Sequence, residues 1–175
     1  MQLRFVASAD LTEGERHEIL ATCNAAYQEE LTQYLVDVGP GWHAVVEADG
    51  SMVSHAMLVD RWIEVSPVGL LRTAYVELVA THPAHQGRGH ASRLLRALVP
   101  RMPPCVIGAL TPTVPAFYER LGWERWRGPL AVRTSTGLQP APADELLMIL
   151  RLPETPAVLP LDAPLSIEWR PGEVW

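Results

Sequence analysis

The chain has 175 residues, of which 48% are hydrophobic, and it carries a formal net charge of −6 with a pI near 5.5. That length allows one domain with a substantial core, and the apolar content excludes disorder as a global description. No apolar run approaches the roughly 20 residues of a membrane-spanning helix, and the acidic balance argues against nucleic acid, whose phosphates require a basic face. An acidic cleft would concentrate amines around itself, although mild acidity serves solubility equally well. Two cysteines, Cys23 and Cys105, provide no disulfide framework. The start, Met1-Gln2-Leu3-Arg4-Phe5, reads as a strand rather than a signal peptide, so a cytoplasmic protein is expected.

In chain order, Leu3 to Ser8 reads as a strand. Thr12-x-x-Glu15 is a capping box, followed by the helical face Leu11, Ile19, Leu20, Cys23, Ala26 and Tyr27. A second short helix is predicted from Glu29 to Asp37, ended by Gly39-Pro40-Gly41. Trp42 to Ala48 and Met52 to Ile63 form a predicted hairpin around Ala48-Asp49-Gly50-Ser51. Leu71 to Thr81 is the next strand; a glycine loop and a helix follow to about Arg101, where Pro103-Pro104 stops it. Cys105 to Leu110 reads as a short buried strand. Thr111-Pro112-Thr113 then supplies a cap and an early proline for a helix that Gly122 ends. Trp123 to Arg127 and Glu145 to Leu152 are predicted as closing strands with a proline-rich loop between them. The tail from Pro153 is proline-rich, yet Leu165, Ile167, Trp169, Val174 and Trp175 indicate that it packs back. The order predicts an α/β fold around one central sheet, a single domain over residues 1–175 with an arm at 153–175.

The most informative stretch is Thr81-His82-Pro83-Ala84-His85-Gln86-Gly87-Arg88-Gly89-His90-Ala91. A glycine loop leading into a helix leaves backbone N–H groups unpaired at the positive end of the helix dipole, which suits a phosphate or pyrophosphate. Two glycines also suit a plain tight turn, and both readings stay open on the loop alone. Glu77 is the one charged side chain in Tyr75-Val76-Glu77-Leu78-Val79-Ala80-Thr81, where a carboxylate is costly unless solvated or paired. In Val114-Pro115-Ala116-Phe117-Tyr118-Glu119-Arg120-Leu121-Gly122-Trp123, the spacing assigns Phe117 to the core and Tyr118 to the edge of that face. His82-x-x-His85, with His90 beyond, sits on a proline-interrupted loop whose imidazoles do not converge, so no metal is expected.

Gln86-x-x-Gly89-x-Ala91 resembles the (Gln/Arg)-x-x-Gly-x-(Gly/Ala) signature of the GCN5-related N-acetyltransferases, and Phe117-Tyr118-x-x-x-Gly122-Trp123 resembles a second motif of that superfamily. The resemblance implies a GNAT fold, with a central, mixed, mostly antiparallel sheet and flanking helices. It also implies acetyl-CoA as cofactor, held by Gln86, Gly87, Arg88, Gly89, His90 and Ala91. Tyr118 would then protonate the departing thiolate, and Glu77 would take the amine proton, usually through water. The Val79 N–H would stabilise the oxyanion and Thr81 would bond the pantetheine arm.

Gly122-Trp123-x-x-Trp126-x-Gly128-Pro129, Thr136-Gly137 and Trp169-Arg170-x-Gly172-x-Val174-Trp175 resemble more narrowly the aminoglycoside 2′-N-acetyltransferases. This implies acetyl transfer to the 2′-amine of an aminoglycoside, with carboxylates holding its ammonium groups. The candidates are Glu30, Asp37, Asp144, Glu145, Glu173 and the α-carboxylate of Trp175, each of which has an ordinary surface role as its alternative. Leu78 replaces the glycine usual in that family, and residues 29–42 are shorter and more apolar. Both departures point to a less cationic substrate such as kasugamycin. A protein or peptide N-acetyltransferase and a non-catalytic acyl-CoA-binding regulator are the competing functions. Several family members are homodimers, which the resemblance extends here as an expectation.

Overall fold

Thr12 opens the first helix as its sequence spacing requires: its hydroxyl accepts the Glu15 N–H while the Glu15 carboxylate accepts the Thr12 N–H. The structure is a computed structural model that describes residues 2–48, 50–101 and 104–175. Three predicted positions, Met1 in the opening segment, Asp49 in the hairpin turn and Pro103 in the helix stop, lie outside the described residues. The chain divides into two compact units, Met1–Val59 with Val76–Met102, and Asp60–Tyr75 with Pro103–Trp175.

The first unit contains β1 (Gln2–Ala7), α1 (Glu13–Tyr27), α2 (Thr32–Val38), β2 (Trp42–Ala48), the first part of β3 (Ser51–Val65), the last part of β4 (Gly69–Thr81), and α3 (His90–Leu98). β2 pairs antiparallel with β1, Ala44 opposite Phe5, and with β3, Ala44 opposite Ala56. The face of α1 predicted from spacing is the one buried: Leu11, Ile19 and Cys23 cluster with Leu31, Val45, Met52, Leu78 and Ala80. Each buried aliphatic side chain there contributes roughly 1.5–3 kcal/mol relative to exposure. α1 ends in the left-handed residue Gln28, and α2 begins later than predicted, at Thr32.

The second unit contains the rest of β3 and β4, then β5 (Ile107–Leu110), α4 (Pro115–Glu119), β6 (Glu124–Arg125), β7 (Leu130–Thr134), β8 (Gly137–Pro140), β9 (Met148–Arg151) and β10 (Leu165–Glu168). β5 lies parallel to β4 and antiparallel to β9. β10 pairs antiparallel with β3 and parallel with β7. The sheet is therefore mixed and mostly antiparallel. Three findings differ from the sequence reading. The segment read as a proline-rich loop holds the β7–β8 hairpin, because Pro140 falls on a strand flanked only by β7, where its missing N–H costs no ladder bond. Thr111 and Thr113 do not cap α4, which starts at Pro115 behind an uncapped Val114. The proline-rich tail supplies an interior strand, β10.

Gly128 fixes how that tail returns. A Cβ there would stand 2.0 Å from the Ala163 carbonyl oxygen, and Trp126 donates its indole N–H to the same carbonyl at 3.0 Å. Gly128→Ala should lower stability by about 2 kcal/mol, in the range of overpacking, read as a lower urea midpoint; an unchanged midpoint would contradict this packing.

Candidate active site

Where strand β4 leads into the loop, side chains hydrogen-bond its backbone. Three successive carbonyls are held this way: Leu78 by His55 Nδ1 at 3.0 Å, Val79 by the Tyr27 hydroxyl at 3.2 Å, and Ala80 by the Ser54 hydroxyl at 2.8 Å. Leu78 has φ of 50°, in the left-handed region that non-glycine residues rarely occupy. Beside it Glu77 is only 5% exposed, and its carboxylate accepts the Tyr34 hydroxyl at 2.8 Å. The carboxylate in an apolar strand is thus paired by α2.

Beyond Thr81, whose hydroxyl lies 2.9 Å from that of Ser54, one turn of 3-10 helix over Pro83–His85 reverses the chain. Gln86 folds its amide back to the Thr81 carbonyl at 3.1 Å. Gly87 and Gly89 have φ of 74° and 78°, and open space surrounds both. Gly89 opens α3 and, as glycine, brings no side-chain cap of its own to the first N–H groups of the helix. Leu94, Leu95 and Leu98 bury the opposite face of the helix and so fix where its N-terminus stands. Burial first, then electrostatic coupling to His85, Arg88 and Arg93, pushes the His90 imidazole below its ordinary pKa. The loop is therefore an electropositive place with backbone donors.

In the second unit, Tyr118 is 6% exposed and packs edge-on against Phe117 and Trp123, whereas Phe117 is only half-buried. This reverses the predicted order of the two, because the five-residue α4 is too short for helical periodicity to settle which side chain faces inward. Burial pushes the Tyr118 phenol up to about 12. Glu145 is raised by burial and by its carboxylate neighbours Glu173 and Asp144, so these three lie within electrostatic reach of one another. Arg61, itself buried, clamps the tail: Nε donates to the Glu168 carboxylate at 2.6 Å and Nη1 to the Val174 carbonyl at 2.9 Å. Trp175 is buried while Glu173 is exposed. By contrast, Glu30 accepts from the Thr32 N–H and the Asn24 amide, and Asp37 accepts from Gln33, so both are engaged locally around α2.

Residues 9–126 match the acetyltransferase (GNAT) domain family. The chain belongs to this family. It is 28% identical over 181 positions to an aminoglycoside 2′-N-acetyltransferase of Mycolicibacterium fortuitum, covering 98% of this chain and 91% of that one. Among solved structures it resembles a probable N-acyltransferase of Enterococcus faecalis (TM-score 0.60, 17% identity, 74% of this chain). It also resembles Eis1 of Mycobacterium abscessus (0.58, 17%, 74%) and ElaA of Escherichia coli (0.60, 13%, 86%). The chain spans about a third of the first two, 34% and 32%, and 99% of ElaA.

GNAT acetyltransferases use acetyl-CoA, and the loop fits a pyrophosphate: two left-handed glycines, an uncapped helix start, and cationic side chains on one short segment. The spacing of Gln86, Gly89 and Ala91 made this loop legible from sequence. What sequence reasoning missed is the set of groups behind it. Tyr34 lies in the segment 29–42, read only as apolar, and His43 and His55, buried in strands β2 and β3, were given no role. His43 Nδ1 lies 2.9 Å from His55 Nε2, and Ser8 Oγ lies 2.9 Å from His43 Nε2. The one available signal was a histidine in each of two apolar strands, which need a polar partner when buried.

Burial lowers His43 to about 4, helped by the charge of Arg16, and lowers His55 to about 3, helped by His43. In the unfolded chain both would take up a proton near pH 6.5. Between those values the unfolded state binds more protons, so stability falls as pH drops from about 6.5 toward 4. The Glu15 carboxylate, held down to about 2 by the Thr12 N–H and then by Arg4, loses its contribution only below about 4.5. Urea midpoints should therefore decline between pH 6.5 and 5, and much less so in His43→Gln/His55→Asn; equal slopes would show that the histidines are not held neutral.

Proposed function

We propose that this GNAT acetyltransferase acetylates the 2′-amine of an aminoglycoside. The observation that carries the reading is the resemblance to an aminoglycoside 2′-N-acetyltransferase along almost the entire chain. The grouping of Asp144, Glu145 and Glu173 supports it, since a polyammonium substrate needs convergent carboxylates. Glu173 and Trp175, on the segment that Arg61 secures, and Asp144 are assigned to the acceptor. Glu30 and Asp37 contribute by shaping α2.

When bound, acetyl-CoA supplies an acyl group activated as a thioester. Gln86, Gly87, Arg88, Gly89, His90 and Ala91 hold its pyrophosphate through backbone N–H groups and positive charge, and Thr81 bonds the pantetheine arm. Glu77 takes the proton that the ammonium must lose before its nitrogen is nucleophilic. Tyr34, donating to Glu77, keeps the carboxylate aligned for that step. The Val79 N–H donates to the oxygen that gains charge as the amine attacks. Tyr118 gives its proton to the leaving sulfur. Burial, which pushes the phenol up to about 12, keeps Tyr118 protonated and therefore able to donate.

Leu78 and the apolar α2 segment leave fewer carboxylates than a highly charged acceptor would need, which favours kasugamycin over gentamicin or tobramycin. Tyr118→Phe and Glu77→Gln should each lower kcat by about 10²-fold; unchanged turnover would remove the residue from its role. Release of CoA thiol with a panel of aminoglycosides, kasugamycin and a lysine peptide tests the acceptor. Activity on the peptide alone would overturn the reading, and equal turnover of gentamicin and kasugamycin would remove the preference.

A further inference from the structure

Four segments of the first unit are tied by one line of side chains that runs inward from the partly buried Ser8 and ends beside Glu77. Ser8, at the end of β1, accepts the Gly41 N–H at 2.9 Å and stands 2.9 Å from His43 Nε2. His43, on β2, reaches His55 on β3 through Nδ1 and Nε2 at 2.9 Å. His55 Nδ1 lies 3.0 Å from the Leu78 carbonyl on β4. Both histidines are buried, at 1% and 0% exposure.

The direction of the line follows from its end. A carbonyl oxygen only accepts, so His55 Nδ1 carries the hydrogen and, in a neutral ring, Nε2 accepts. His43 must then donate from Nδ1 and accept at Nε2, which leaves the Ser8 hydroxyl as donor, turned from the Gly41 carbonyl that lies 3.1 Å away. The Cys23 sulfur, 3.6 Å from His55 Nδ1, is a weak further acceptor. Every ring nitrogen is satisfied in this arrangement, and in it the Leu78 carbonyl meets a donor. Because the line ends on an amide carbonyl, which does not pass a proton on, it holds the backbone rather than conducting protons.

What it holds is costly. A leucine at φ 50° is strained by on the order of 1 kcal/mol or more, and the strain falls between the two residues assigned to chemistry. We propose that His55, set in register by His43 and Ser8, is a positioning residue for acetyl transfer: it fixes the left-handed Leu78 and thereby the relative orientation of the Glu77 carboxylate and the Val79 N–H. This rests on the roles given above to Glu77 and Val79. Gly41 secures the far end, since a Cβ there would meet the Leu58 carbonyl oxygen at 2.2 Å.

The test uses the whole chain and two readouts: hydrogen exchange at the Leu78 and Val79 amides, and CoA thiol release with kasugamycin and with tobramycin. His55→Ala should speed exchange at those amides about tenfold or more while leaving α3 unchanged. It should also lower kcat by about ten- to a hundredfold with KM for acetyl-CoA within about twofold. His55→Asn, whose side-chain amide can donate to the same carbonyl, should retain most of both. Leu78→Gly in the His55→Ala background should restore much of kcat, because glycine adopts φ 50° without a Cβ penalty; a defect of packing alone would not recover. Should His55→Ala fail to fold, Ser8→Ala breaks the line at its outer end without altering core volume and should speed the same exchange about threefold. Wild-type exchange at Leu78 and Val79 in His55→Ala, or in Ser8→Ala should His55→Ala fail to fold, would overturn the proposal. Full activity of Glu77→Gln would instead dismiss the assignment of Glu77 and leave the exchange result standing.

Discussion

The hydrogen bond from His55 to the Leu78 carbonyl is the constraint around which the first unit is organised. A regular strand would alternate residues 77, 78 and 79 across its two faces. With Leu78 left-handed, that alternation breaks, and the carbonyls of residues 78 to 80 are claimed by side chains from α1 and β3. Such a break exposes backbone polar groups unless donors are supplied for them. Tyr27, Ser54 and His55 supply them, and α1, β2 and β3 are packed so that they can.

The two units differ in electrostatic character. The loop of the first unit concentrates His85, Arg88 and Arg93 around His90 on a helix start. The second unit gathers Asp144, Glu145 and Glu173. A net charge of −6 conceals this separation, since it averages an arginine-bearing loop with an acidic cluster. Composition alone pointed toward amines and away from nucleic acid, and it said nothing of the cofactor.

Much of the fold was legible because its signals are local. Thr12 and Glu15 are three residues apart, and both bonds of the capping box form; the glycines of the loop adopt the positive φ that their spacing implies. Signals that join distant residues were not legible. Tyr34 and Glu77 are 43 apart, and Ser8 and His43 are 35 apart, so no window of sequence contains either pair. Two local readings also gave way to context. Proline at 140 suggested a loop and proves to end a strand, and five helical residues gave too little periodicity to decide between Phe117 and Tyr118.

Strand β10 has a consequence for how the molecule is made. Residues 165–168 pair with β3 on one side and β7 on the other, while Arg61 reaches forward to Glu168 and Val174. Residues 60–65 therefore leave the ribosome about a hundred positions before the strand that completes their ladder, which at 5–20 residues per second is several seconds or more. During that interval the β3 edge and the guanidinium of Arg61 lack the hydrogen-bond partners that the tail supplies. The first unit likewise waits for β4, but its last segment emerges some seventy residues earlier. Vectorial synthesis thus offers the loop and its histidine line the opportunity to order first, with the acidic cluster assembled last.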